Sequence, residues 1–254
     1  MGVTRVPRPS SGVCYVLRED PELAEAIEPD RRAQALDACV AREVEIPAGA
    51  WRGRTIPIDG GIGLLILEGL LIHRVGIADR FGAELLGEGD VLRALQGEFE
   101  SSTLVLTSDW IVLEPARVAV LDERFVRQLA LFPQLAGQLF ARSVQRSRQL
   151  AVNMAIVHQA RVDVRLHMLL WQLAGRWGRV RSDGVLVPLR LTHAILADLV
   201  AARRPTVTSA LSQLAKRGAV KPVAEGWLLH GDAPGELRHG GPLAVHREAI
   251  ERSG

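Results

Sequence analysis

Residues 201–211 have the sequence AARRPTVTSAL, and this stretch decides how the C-terminal half of the chain is interpreted. It joins two predicted helices, residues 192–200 and 204–217, for which Thr192 is a suitable N-cap and Gly218 stands at the C′ position. Two strand-like stretches follow, and the turn between them predicts a hairpin. Helix, tight turn, helix and hairpin is the order of a winged helix-turn-helix.

The second of these helices has one apolar face and one polar face. A helix that enters the major groove needs small side chains for close approach and hydrogen-bonding groups that reach base edges. The polar face meets both needs and contains no acidic residue. An ordinary two-helix corner with a solvated outer face would show the same pattern. The predicted DNA-binding residues are Arg203, Arg204, Thr206, Thr208, Ser209, Ser212, Gln213 and Lys216.

Charge is distributed unevenly along the chain. The 254 residues carry 31 basic and 29 acidic side chains, a net charge of only +2. Residues 82–123 contain nine acidic and two basic residues, whereas residues 140–181 contain eight arginines and one aspartate. Residues 182–221 add six basic and two acidic residues. This asymmetry fits an acidic module joined to a basic one that binds a polyanion; an arginine-rich composition with solvated charges is the alternative.

The N-terminal half has the pattern of an antiparallel β protein. Short apolar runs alternate with Gly, Pro and Asp turns, which predicts a sandwich, roll or barrel. The runs are residues 44–46, 63–67, 70–75, 102–107 and 110–113. Before them, residues 1–12 are predicted to be a loose tail, and short helices are expected after Asp20 and over residues 30–41.

A long helix is predicted over residues 132–157, followed by another over residues 161–177. One face of the long helix carries Arg142, Arg146 and Arg148 and is expected to be solvated. A stripe of apolar and small residues recurs at alternating spacings of four and three, as in paired helices. Such a stripe can pack in the core or against a second copy of the chain, and both remain open. The stripe consists of Ala136, Phe140, Ser143, Ser147, Leu150, Met154 and Val157.

Over about residues 40–230, this order of elements resembles the catabolite-activator/FNR (CRP/FNR) family of bacterial transcription regulators. The resemblance implies an α+β protein with an N-terminal β-roll of the cyclic-nucleotide-binding type, a long dimerisation helix and a C-terminal winged helix-turn-helix. The expected segments are an N-terminal tail with short helices (1–40), a β-roll (41–125), a dimerisation helix (126–158), a winged helix-turn-helix domain (159–231) and a C-terminal tail (232–254).

The recognition helix matches the family pattern in part. Residues 203–207, Arg-Arg-Pro-Thr-Val, resemble the family's Ser-Arg-x-Thr-Val start. Arg204 falls where the family commonly reads guanine, but Pro205 and Ser209 replace two further base readers. The resemblance therefore implies DNA binding without the family's consensus site, with Arg204 as main reader and Ser209 and Gln213 as secondary readers. The expected phosphate contacts are Arg203, Thr206, Thr208 and Lys216.

The effector pocket that the family resemblance implies is degenerate. Residues 89–90 match the turn before the cyclic-nucleotide contacts, but Arg-Ala-Leu at 93–95 replaces Gly-Glu-Leu and Ser-Ser at 101–102 replaces Arg-Ser. A buried phosphate without its cation is costly, so the usual cyclic-AMP mode is not expected. Arg93 either supplies a displaced cation or is solvated. The pocket residues carried over from the family are Arg93, Ala94, Ser101 and Ser102.

Cysteine and histidine usage bears on cofactors. The chain has two cysteines, Cys14 and Cys39, too few for the iron–sulfur cluster of the FNR branch, and both are expected to be ordinary thiols. Haem occurs in a few relatives, and His73 is either an axial ligand or a core or surface histidine. The seven histidines show no metal-ligand spacing. We predict no cofactor and no metal site.

The sequence contains no nucleophile elbow, phosphate-binding loop, His-Glu-x-x-His or Cys-x-x-Cys, so an enzyme is not expected. We predict a transcription regulator that binds an inverted-repeat operator as a homodimer. The alternative is a ligand-binding or protein-docking module without specific DNA binding. The expected partners are double-stranded DNA, a second copy, RNA polymerase and an unidentified small-molecule effector. The absence of a signal peptide and of a membrane-length apolar run predicts a cytoplasmic protein without a membrane partner.

Overall fold

The computed structural model describes residues 11–51, 56–58, 60–77, 80–93 and 106–234. The chain divides into two compact units, Met1–Leu150 and Ala151–Gly254. The finer division into five segments stays a prediction. In the described ranges, no helix combines the length and the apolar character needed to span a bilayer.

The first unit is built on an antiparallel sheet. Within the described residues its strands are β1 (Ser11–Tyr15), β2 (Val40–Ile46), β3 (Gly49–Trp51), β4 (Gly63–Ile77), β5 (Arg80–Gly87), β6 (Val91–Leu92) and β7 (Leu106–Leu121). They pair in the order β1-β2-β7-β4-β5, with β3 also bonded to β7 and β6 to β4. The predicted antiparallel β domain is confirmed.

Helices precede and follow this sheet. They are α1 (Val16–Glu19), α2 (Pro21–Glu25), α3 (Pro29–Ala38), α4 (Glu123–Leu129) and α5 (Pro133–Val157). The carboxylate of Asp122 caps α4 by accepting hydrogen bonds from the backbone N–H groups of Arg124 and Phe125, at 2.9 and 3.2 Å. Helix α5 begins in the first unit and crosses the boundary at residue 150.

Strand β4 corrects the prediction of two separate strands at residues 63–67 and 70–75. It runs without interruption from Gly63 to Ile77, and its register against β7 shifts between residues 66 and 71. Gly69 stands in this irregular stretch with φ +101°, and a Cβ there would lie 2.6 Å from Cα of Ala116. Gly69 marks a bulge inside one strand. The sequence pattern predicts a turn between two strands at this position. Of the run at 102–107, residues 102–105 lie outside the described part.

The N-terminal predictions also need correction. The tail expected through residue 12 already contains strand β1, which begins at Ser11 and pairs with β2. The helix expected over residues 30–41 ends at Ala38, because Val40 and Ala41 belong to β2. These residues join the sheet since their apolar side chains can be buried there, which local helix propensity does not reveal.

Two hydrophobic clusters form the core of the first unit. One joins residues of the helices with residues of β1, β4 and β7, and it includes the fully buried Leu17, Phe125 and Phe132. The other is built almost entirely from strand residues and includes Trp51 and Trp110, whose rings meet edge to face at 5.8 Å. Burial of each large side chain contributes about 1.5–3 kcal/mol.

The second unit combines helices α6 (Val162–Trp177), α7 (His193–Leu199) and α8 (Arg204–Lys216) with a sheet of order β10-β11-β9-β8. The strands are β8 (Arg179–Arg181), β9 (Gly184–Val187), β10 (Val220–Val223) and β11 (Gly226–Leu229). The apolar residues at 189 and 191 predict a short strand from the sequence, but residues 189–191 form a turn in which the N–H of Leu191 bonds the carbonyl of Leu189. Strand β8 was missed, because its three residues are all exposed and show no alternation.

Candidate nucleic-acid interface

Helices α7 and α8 are joined by a short, well-defined turn. The hydroxyl of Thr192 accepts a hydrogen bond from the N–H of Ile195 at 3.3 Å, so the predicted N-cap of α7 is confirmed. At the other end, the N–H of Ala202 bonds the carbonyl of Ala197 at 2.9 Å, and Ala201 has φ +49°. This left-handed residue closes α7 as in a Schellman motif and redirects the chain into α8.

Charged residues at the start of α6 form hydrogen bonds and ion pairs with this turn and with the end of α8. The guanidinium of Arg165 donates to the carbonyls of Val200 and Ala201 at 3.2 and 3.3 Å. Asp163 is buried and pairs with both Arg161 and Arg217, the latter at the end of α8. The hydrogen bond from Arg161 outweighs burial and lowers the pKa of Asp163. These contacts hold the turn before α8 and the C-terminal end of α8 against the start of α6.

Helix α8 presents one face to the core and one to the surface. Val207, Ala210, Leu211 and Leu214 are buried. The sequence-predicted residues all lie on the exposed side, where α8 carries no acidic residue, and their contacts with DNA stay predictions. These exposed residues are Arg203, Arg204, Thr206, Thr208, Ser209, Ser212, Gln213 and Lys216.

Two hydroxyl groups on this exposed face are already engaged within the protein. The hydroxyl of Thr208 donates to the carbonyl of Arg204 at 3.1 Å, and that of Ser209 donates to the carbonyl of Pro205 at 3.2 Å. The Thr208 oxygen also lies 2.9 Å from Nδ1 of His193. The contact of His193 with α8 was not predicted from the sequence. His193 is the first residue of α7, and nothing in the local sequence pattern indicates that it contacts another helix.

The hairpin after α8 forms the wing. Gly218 has φ +67°, and the N–H of Ala219 bonds the carbonyl of Leu214 at 3.0 Å, so the predicted C′ glycine is confirmed. Strands β10 and β11 follow and are joined at residues 224–225. The ring of Trp227 on β11 faces that of His193 at 6.4 Å. Trp227 of the wing and Thr208 of α8 therefore both lie close to His193 of α7.

Helix α5 places its apolar stripe at the surface of the single chain. Phe140 is 71% exposed and Met154 is 63% exposed, and Ser143, Ser147 and Leu150 are exposed as well. Both serine hydroxyls donate to carbonyls one turn back in the helix, at 3.2 and 3.1 Å, and so present little polar surface. The stripe is not part of the core of the single chain.

The arginine face of α5 was expected to be solvated, and for two of its three arginines this is wrong. Arg142 pairs with Asp20 and donates to the carbonyl of Gly89 at 3.2 Å. Arg146 pairs with Glu84, with Nε at 3.0 Å from Oε2, and donates to the carbonyl of Val91 at 3.2 Å. Arg148 is exposed as expected. The acidic partners are distant in sequence, which is why the α5 pattern did not reveal them.

Glu84 and His73 form a buried polar cluster with Arg146. Nδ1 of His73 lies 3.1 Å from the Glu84 carboxylate, Nε2 lies 2.9 Å from the Ser108 hydroxyl, and the ring stacks on Trp110 at 4.0 Å. Because both ring nitrogens have protein partners, His73 is a core histidine in this structure. Burial would raise the pKa of Glu84, but hydrogen bonds from His73 and Arg146 lower it below its ordinary value.

The expected effector pocket is described only in part. Arg93 is an exposed loop residue, whereas Ala94, Ser101 and Ser102 lie outside the described residues. Across the described ranges, no cluster of three or more His, Cys, Asp or Glu residues could hold a metal ion. Cys14 and Cys39 are free and buried, and burial raises the pKa of each thiol to about 11, as suits unreactive thiols.

Comparison with known proteins agrees with this geometry. The family of Crp-like helix-turn-helix domains matches residues 164–230. Residues 164–230 are thus similar to the Crp-like helix-turn-helix domains. A CRP-like cAMP-activated global transcriptional regulator of Mycobacterium tuberculosis is 31% identical over 116 residues, which are 45% of this chain and 52% of that protein. The chain thus spans about half the length of the curated relatives it matches.

Solved structures extend the likeness beyond the Crp-like domain. The CooA mutant of Carboxydothermus hydrogenoformans covers 86% of this chain and 90% of its own length, with 15% identity and a TM-score of 0.56. FixK2 of Bradyrhizobium japonicum covers 75% of this chain and 93% of its own, with 16% identity and a TM-score of 0.55. At this identity the likeness shows the fold. The resemblance to the CRP/FNR family is confirmed, as are the α+β class and the winged helix-turn-helix.

Proposed function

We propose that this protein is a sequence-specific DNA-binding transcription regulator. The observation that carries the proposal is the outer face of α8, where eight polar or cationic side chains, four of them Ser or Thr, are exposed together within a Crp-like domain. Such a face fits the major groove, because small side chains allow close approach and Arg204 can make a bidentate contact with guanine. The basic charge of residues 182–221, six basic against two acidic side chains, supports the same function, since it would attract the phosphate backbone.

We also propose that the protein acts as a homodimer paired through α5. The exposed apolar stripe offers a self-complementary surface, as a two-fold interface requires. Two copies related in this way would present two recognition helices to successive major grooves. The operator is then an inverted repeat with half-sites about one helical turn apart. RNA polymerase as a further partner and a cytoplasmic location remain predictions, and no catalytic activity is proposed.

Selection of genomic fragments by the purified protein tests this function directly. Enrichment of an inverted repeat, bound far more tightly than random duplex of equal length, is the expected result. Equal binding of selected and random duplexes would favour the alternative, a ligand-binding or protein-docking module without specific DNA binding.

Variants of α8 separate base contacts from phosphate contacts. Arg204→Ala is expected to cost about 1–3 kcal/mol on the selected operator and to relax the preference for one base pair per half-site. Lys216→Ala is expected to weaken binding to all duplexes alike and to reduce the slope of affinity against salt by about one. Titration of both variants at several salt concentrations measures the difference. Equal losses on operator and random duplex for Arg204→Ala would remove its assignment as base reader.

The usual cyclic-AMP mode is not part of the proposed function. Ala94 and Ser101 stand where cyclic-nucleotide-binding relatives carry the ribose carboxylate and the phosphate arginine, and Arg93 is exposed. We expect cyclic AMP to leave operator affinity unchanged and to give no binding heat in calorimetry. The curated relative named as cAMP-activated is the positive control. A marked rise in operator affinity on adding cyclic AMP would overturn this part of the proposal.

A further inference from the structure

We propose that His193 is a positioning residue for the recognition helix, holding the Arg204 turn through Thr208. This inference rests on the proposed function and adds a residue to it. It assigns to Thr208 a role inside the protein in place of the phosphate contact expected from the sequence.

The first turn of α8 begins without a capping hydrogen bond. Arg203 at the N-cap makes no side-chain capping bond, and Pro205 in the first turn has no N–H to donate. Arg204 lies between these two residues and is exposed. Contacts made further along α8 can therefore contribute to holding the backbone from which its side chain extends.

A chain of two hydrogen bonds supplies such a contact. The Thr208 hydroxyl has one hydrogen, which it donates to the Arg204 carbonyl at 3.1 Å. Its oxygen can therefore only accept from Nδ1 of His193, 2.9 Å away, so this nitrogen carries the hydrogen. The link runs from the first residue of α7 through Thr208 to the backbone of Arg204.

The wing also lies close to the imidazole. The ring of Trp227 lies 6.4 Å from that of His193 at an angle of 35°. His193, the first residue of α7, thus lies beside both α8 and β11, and these elements have to keep a fixed relation while α8 lies in a groove. Bidentate recognition of guanine tolerates only small displacements of the arginine, so losing this link should weaken specificity more than general affinity for DNA.

A double-mutant cycle on the full chain tests the link. His193→Leu keeps a side chain against Trp227 but removes the donor, and Thr208→Val removes the hydroxyl at nearly constant volume. Each single change is expected to lower affinity for the selected operator about tenfold, with affinity for random duplex and its salt slope unchanged. The double variant should lose no more than either single one, because both remove the same link. Additive losses would overturn the proposal.

Two conservative variants distinguish positioning from direct contact. Asn at position 193 can place an N–H near that of Nδ1, whereas Gln places it near Nε2, so His193→Asn should recover most of the operator affinity and His193→Gln should not. Recovery by Gln alone would instead show that His193 contacts DNA phosphate. The control is His167→Gln, since Nε2 of His167 accepts a hydrogen bond from Trp171 within α6 and the Gln oxygen can take its place; this variant should bind like the wild type.

Failure of this inference can be told from failure of the proposed function. If the wild-type protein prefers no operator over random duplex, the proposed function and the role of His193 both fall. If the wild type is specific and the His193 variants bind as it does, with unchanged thermal unfolding, only the role of His193 falls.

Discussion

Replacing Phe140 and Leu150 with aspartate should convert the protein into a monomer that no longer binds its full operator tightly. Both side chains lie on the exposed stripe of α5, and Phe140 is 71% exposed in the single chain. Burial of such side chains contributes about 1.5–3 kcal/mol each, and two-fold symmetry buries each position twice. The double change should therefore weaken dimerisation by on the order of 6 kcal/mol, or about four orders of magnitude in Kd.

The matched control places the same two charges elsewhere on α5. Gln138 and Gln145 are exposed and lie on the side of α5 away from the stripe. Gln138→Asp with Gln145→Asp should leave the mass measured by sedimentation unchanged and preserve operator binding. If the Phe140→Asp, Leu150→Asp variant sediments as the wild type does, α5 is not the dimer surface and the proposed symmetry of the operator loses its support.

Helix α5 shows how far the sequence could be used and where it failed. The alternating spacing of four and three correctly predicted the helix and the position of its stripe, because both depend on residues close together in the chain. It left open whether the stripe was core or surface. It also misassigned Arg142 and Arg146, whose partners Asp20 and Glu84 are 122 and 62 residues away. Only the folded sheet brings those carboxylates beside the helix.

The second unit was more predictable than the sheet of the first unit. Thr192 and Gly218 act within a few residues of their own positions, so capping rules located both helix ends. The link from His193 to Thr208 spans 15 residues and depends on how α7 crosses α8, which no local pattern specifies. The bulge at Gly69 was missed for the same reason, since it is defined by the register of β4 against β7.

Replacing Arg146 with methionine is expected to destabilise the first unit by about 3–5 kcal/mol, because Glu84 would be left as a buried charge without its arginine partner. Glu84 is 8% exposed and accepts hydrogen bonds from Arg146 and His73. Hydrogen exchange of the backbone amides of β4 and β5 in the full chain measures the free energy of unfolding of the first unit alone. Arg148→Met is the matched control, since Arg148 is exposed two residues further along α5.

The pH dependence of that loss identifies Glu84 as its cause. In the wild type the pKa of Glu84 is lowered, so its contribution to stability is present above the unfolded-state pKa and disappears as pH falls through the folded-state pKa. Without Arg146, only His73 opposes the effect of burial, so the pKa of Glu84 rises from its wild-type position and protonation relieves the buried charge. The destabilisation by Arg146→Met should therefore shrink toward acidic pH. Adding Glu84→Gln should restore much of the stability at neutral pH. A loss that is independent of pH and unaffected by Glu84→Gln would mean that Arg146 stabilises the unit by packing and by its bond to Val91, not by pairing with Glu84.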